Sequence, residues 1–193
     1  MAVKQMAMNW YKLSQQNVQQ EYANLLQDKW SGIQITGSGV NETLNIGGIS
    51  VSAKELLDHV KTKLLNILIS NGVKTIDTSP IGPSNAFGLA KSHEVGVVHV
   101  DLKKIFNVAK NAIPKELQPD QTSPDSLNKI VDTISSYIEA SIAEVGSHEA
   151  RHVSDFGQAV QQGKPFTSVQ EAPAEQFGEQ TRKKLYPSSE IKM

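Results

Sequence analysis

The chain has 193 residues, 38% hydrophobic and 20% charged: enough for one domain with its own core, and too apolar for a disordered chain. Nineteen Lys and Arg against twenty Asp and Glu leave a formal charge of -1, so no global basic field exists to hold a nucleic acid. With no cysteine, disulfides, Cys-type zinc fingers, iron–sulfur clusters and thiol catalysis are excluded, and a metal site must be built from His, Asp and Glu.

The first 30 residues hold no apolar run of signal-peptide type, and no stretch approaches the roughly 20 apolar residues of a membrane span. The expectation is a soluble cytoplasmic protein with no membrane partner. One domain over residues 1–193 is expected, with 1–8 and 187–193 as loose tails.

Residues 9–30 carry Trp10, Leu13, Val18, Tyr22, Leu25 and Leu26 near helical spacing, so an amphipathic helix is expected. From Ser31 the pattern changes. Ile33 and Ile35 alternate with polar residues, and Leu44, Ile46, Ile49 and Val51 follow around Gly47-Gly48. Two short strands are expected there, with a bulge at the glycine pair. Ser52 and Glu55 form a capping-box pattern for a helix over 53–70, which Asn71-Gly72 ends. Val73–Thr78 reads as a strand and Ser79–Ala90 as a loop rich in Pro, Gly, Ser and Asn. Glu94–Leu102, with Val95, Val97, Val98 and Val100, is the clearest strand; His99 falls on the face opposite Val98 and Val100, a surface position by expectation. A helix over 103–112, a proline-bearing connector over 114–125, a long helix over 126–156, a loop over 157–167 and a last helix over 168–185 complete the pattern. The order suggests an α+β domain with a small sheet backed by helices.

The Gly-rich stretch 36–48 lacks the Lys-Ser/Thr of a P-loop and reads as turns. Arg182-Lys183-Lys184 reads as a solvated, dipole-compatible helix end rather than a nucleic-acid patch, and His59 as a half-exposed helix residue.

The chemistry is concentrated at His148-Glu149-Ala150-Arg151-His152, an H-E-x-x-H sequence in the long helix. Residues i and i+4 share one helix face, so the two imidazoles can bind one tetrahedral zinc ion. The intervening Glu149 then stands beside the open coordination position, where it can take a proton from metal-bound water. The apolar stripe Leu127, Ile130, Ile134, Ile138, Ile142 and Val145 runs directly into this triplet. Either the helix leaves the core at Gly146 and the triplet is solvated, or the groups are buried and need a partner such as a metal ion.

Eighteen residues separate His152 from Glu171-Ala-Pro-Ala174-Glu175-Gln-Phe177-Gly178. H-E-x-x-H followed at this distance by E-x-x-A-x-x-F and a small residue resembles the gluzincin metallopeptidases. It is closest in pattern to the small minigluzincins typified by the ImmA and IrrE proteins. The resemblance covers the last quarter to third of the chain and implies a zincin-like fold. It implies His148, His152 and Glu171 as zinc ligands, Glu149 as general base, and Glu175 as an acid bracing a ligand His. It also implies that the strand over 94–102 is an edge strand able to pair with extended substrate. Departures from the pattern are Arg151, Ser154, Glu175 in place of Asp or Asn, and Pro173 inside the ligand helix. Glu175 or Asp155 could substitute as third ligand if Pro173 displaces Glu171. Tyr137, Tyr186, His93 and His99 are open candidates for stabilising an oxyanion.

The expectation is therefore a zinc-dependent metallopeptidase acting on a peptide or protein substrate. A non-catalytic zinc-binding regulatory protein on the same scaffold is the alternative, and a metal-free helical interaction protein a third. Substrate specificity and oligomeric state are not legible.

Overall fold

The computed structural model describes residues 15–25, 27, 30–113 and 123–188. The expected tails over 1–8 and beyond 188, the residues Trp10, Leu13 and Leu26, and most of the connector over 114–125 lie outside these. Residues 15–25 form helix α1.

Three strands, not two, follow. β1 (Gln34–Thr36) enters a four-stranded sheet, while β2 (Thr43–Ile46) and β3 (Ile49–Ser52) form a separate antiparallel hairpin. The glycine pair is not a bulge. Gly47 and Gly48 have φ of 56° and 88°, the two-residue turn that needs positive φ at both positions, with Ile46 opposite Ile49. α2 (Ala53–Ser70) starts at Ser52, yet no capping hydrogen bond forms at its side chain. Ser52 is also the last residue of β3, and Ala53 N–H is taken by the Glu42 carbonyl at 2.9 Å. Gly72, at φ 87°, ends the helix as expected.

β4 (Thr75–Asp77), β5 (Gly88–Leu89) and β6 (Val97–Val100) complete the main sheet in the order β1-β4-β6-β5. β1, β4 and β6 are parallel, and β5 runs antiparallel to β6. β6 is therefore interior. The edge strands are β1 and, next to β6, β5, which lies inside the stretch expected to be a loop.

α3 (Leu102–Asn111) starts at Asp101, whose carboxylate accepts from Lys104 N–H at 3.0 Å. α4 (Pro124–Gln161) has 38 residues and runs about 57 Å at 1.5 Å per residue. It passes through Gly146 and Gly157, both buried, without a break. α5 (Glu171–Leu185) follows a short 3-10 turn at Phe166–Ser168. Pro173 does not displace Glu171: it sits in the first helical turn, where a missing N–H costs no intrahelical bond.

The core lies between the helices and one sheet face. Leu57, Val60, Leu64 and Leu68 of α2 meet Ile138 and Ile142 of α4, with Ile76, Val98 and Val100 from the sheet and Ile105 and Phe106 from α3. The architecture is α+β, a small sheet backed by helices. No described helix is long and apolar enough to cross a membrane.

Candidate metal centre

The stripe of α4 carries its ionisable groups into the interior. Ile134, Ile138 and Ile142 are buried, and so are Glu149 and His152, while His148 is half-buried. Far from loosening the helix, Gly146 is itself buried; a Cβ there would meet only Leu64, at 3.7 Å.

His148 and His152 lie one turn apart with their Nε2 atoms 3.1 Å from each other. Glu171 completes the group from α5, its Oε1 2.9 Å from His148 Nε2 and its Oε2 3.1 Å from His152 Nε2. The Glu171 side chain is 65% exposed, yet both oxygens turn inward to the two rings. Tetrahedral zinc with bonds of about 2.0–2.1 Å sets its donor atoms about 3.3 Å apart, so the triangle is close to the size the ion requires. Each Nε2 faces both the other ring and a Glu171 oxygen, so a nitrogen that donates its proton to the carboxylate has none left for its neighbour; a cation among the three donors removes that competition. These three residues can hold a metal ion.

The seam between α4 and α5 explains how Glu171 reaches the rings. Ala174 is fully buried, and a Cβ at Gly178 would lie 2.8 Å from the Glu144 carbonyl oxygen and 3.1 Å from His148 Cβ. Glycine permits this approach where any side chain would hold the helices apart. One turn on, Arg182 Nε meets Glu144 Oε2 at 2.7 Å, so the basic run contributes an inter-helix ion pair rather than a wholly solvated face. Behind the ligands, His152 stacks on Phe156 at 6.3 Å between centroids, and Phe156 meets Phe166 and Tyr22 edge-on.

Glu149 Oε1 stands 3.8 Å from His148 Nε2, beneath β5. A Cβ on Gly88 would fall 2.7 Å from this oxygen and 2.5 Å from Val145 Cγ1, so the edge strand can lie this low only because residue 88 is glycine. Burial, and then the charge of Glu171, push the Glu149 carboxyl up to about 8, against a hydrogen bond donated by the Ala90 N–H. His152 is held below the ordinary histidine range. Burial is the largest cause, helped by His148 and opposed by Glu171 and Asp155.

The other candidates lie apart. Asp155 pairs with Arg151 at 3.0 Å. Glu175 is exposed and lines a cavity shared with His148, with no hydrogen bond to either ring. Tyr137 lines a different cavity, three turns before His148, and Tyr186 lies under Lys63 Nζ at 4.2 Å. His93 is largely exposed. His99 is buried rather than at the surface, on the sheet face opposite Val98 and Val100.

That first cavity, about 370 Å³, opens beside His148 and is lined chiefly by Phe87, Gly88, Ile105, Val108, Tyr137 and Val145. The contribution of Gly88 and Ala90 has no signal in the sequence, since a two-residue strand shows no alternation. Gly178 was visible as the small residue of the motif. Compared with protein-family models, curated proteins and solved structures, the chain matches none.

Proposed function

We propose that this chain is a zinc-dependent metallopeptidase of gluzincin type, with a zincin-like fold. The observation that carries the reading is the closed triangle of His148, His152 and Glu171 with a buried carboxyl beside it under an antiparallel edge strand. Bound zinc would supply a Lewis acid that polarises a carbonyl and acidifies a water molecule.

The chain's own residues supply the rest. Glu149 is placed to take a proton near His148 and to return it to the leaving amine. A cation at the three donors favours its carboxylate form over the neutral form that burial favours. β5 offers a sheet edge along which an extended peptide can pair, its backbone fixed by ladder hydrogen bonds. The cavity beside His148 suits an apolar side chain adjacent to the scissile bond. Glu175 is exposed and bonds neither ring here, so bracing a ligand His would require its side chain to swing across the cavity it shares with His148.

Plasma mass spectrometry of the metal content and cleavage of a peptide mixture test this together. The expected result is near one zinc per chain and cleavage that Glu149→Gln abolishes while the zinc stays. Zinc without cleavage leaves a non-catalytic zinc-binding protein on the same scaffold. No stoichiometric metal after zinc is added back overturns both.

A further inference from the structure

His99 sits with a carboxylate at each ring nitrogen. Its Nδ1 is 3.2 Å from Asp77 Oδ2 on β4, and its Nε2 meets Glu94 Oε2 in the turn between β5 and β6. Strand register sets Asp77, His99 and Leu89 side by side across β4, β6 and β5. Around them, Lys91 Nζ is 2.6 Å from Glu94 Oε1, His93 Nε2 is 3.7 Å from the same oxygen, and Ser79 N–H donates to Asp77 at 2.9 Å. The ring thus bridges two carboxylates on different segments, one at each nitrogen.

Glu94 follows the edge strand by only five residues, and between them lies Ala90, whose N–H meets Glu149. The upstream end of the same segment is pinned separately. Asp101 N–H donates to the Phe87 carbonyl at 2.8 Å, and Lys104 Nζ donates to the Ser84 and Ala86 carbonyls. Downstream, the described side-chain ties run to His99.

We infer that Asp77, His99 and Glu94 form a clamp on the outer sheet face that sets the height of residues 88–94 above the site. His99 is thereby a positioning residue for Glu149. Its effect on substrate rests on the peptidase reading; the clamp itself does not. Without the ring, Asp77 and Glu94 lose the group that joins them, and the segment loses one of its ties.

The test is amide exchange along the full chain, with and without zinc, in wild type, His99→Gln, Glu94→Ala and Glu94→Gln. The amides of Leu89, Ala90 and Lys91 should exchange at least about tenfold faster in His99→Gln and Glu94→Ala, with α4 unchanged. Glu94→Gln, which keeps a hydrogen-bonding oxygen, should recover part of the protection. Unchanged exchange over 88–94 in folded variants, or a loss spread evenly over the sheet, overturns the clamp. Where cleavage is measurable, KM should rise at constant zinc content. An exchange response in a protein that cleaves no peptide leaves the clamp standing and removes the peptidase reading.

Discussion

Two histidine–carboxylate clusters lie on opposite sides of β5 and β6, and their charges balance in opposite ways. On the outer face one ring, His99, lies between Asp77 and Glu94, with Lys91 beside Glu94. Two acids there meet a lysine and an imidazole that bridges them, so each has a partner within the cluster. On the inner face two rings turn their Nε2 atoms toward each other and toward a single carboxylate, Glu171, with a second acid, Glu149, buried nearby. No Lys or Arg reaches those four groups among the described ion pairs. The same residue types thus make a structural tie in one place and a group that could hold a cation in the other. Burial without an internal counter-charge separates the two.

Substitutions at the inner cluster should produce the largest effects. Glu149→Gln is expected to lower kcat/KM on peptides by about 10²–10⁴-fold with zinc content unchanged, the signature of a lost proton carrier. A matching fall in metal content would instead make Glu149 part of the metal's own support. Glu171→Ala should weaken zinc binding beyond the roughly 10–100-fold typical of losing an outer partner, and Glu175→Ala should stay within that range. Competition with a chromophoric chelator measures both, and equal losses would remove the distinction between ligand and brace.

Next comes the α4–α5 seam. Gly178→Val places a side chain where the Glu144 carbonyl is 2.8 Å away, so a cost of about 1–3 kcal/mol is expected together with weaker zinc retention. Ile142→Ala is the comparator. It should cost about 2–5 kcal/mol in thermal or urea unfolding and leave zinc stoichiometry intact, because its loss is core packing.

The outer cluster should show itself mainly through pH. Partial burial pushes Asp77 up, but hydrogen bonds from Ser79 and the charges of His99 and Lys91 outweigh it and hold it below the ordinary carboxylate range. Glu94 is likewise lowered against desolvation, by Lys91 and His99. Such groups add stability above the ordinary range and lose it as pH falls through their folded values. The urea midpoint should therefore drop as pH falls below about 4, and less steeply in Asp77→Asn. Parallel acid profiles for the two proteins would show that Asp77 contributes nothing to this effect.

Legibility followed the range of the interaction. The spacing of His148 and His152 is local, and helical periodicity alone puts both on one helix face, but does not say whether that face is buried. Glu171 was reachable only through a resemblance in the pattern around it, and Pro173, which cast doubt on that position, proved compatible because it falls in the first turn of α5. The continuation of α4 past Gly157 went unread. A helical glycine costs about 1 kcal/mol locally, and tertiary burial of Gly157 and Ala159 offsets it. Alternation placed His99 opposite Val98 and Val100, yet its burial comes from Asp77 and Glu94, on two other segments.

By itself, the sequence determined that His148 and His152 share one face of one helix, and that no thiol or disulfide takes part. These follow from residue chemistry and from a period of 3.6, both of which act within a few residues. Tertiary structure alone decided that β5 rather than β6 is the edge beside Glu149, that glycines 88 and 178 let the edge strand and α5 close in, and that His99 is buried between two acids. Those outcomes depend on contacts between segments far apart in the chain, where no local propensity carries information.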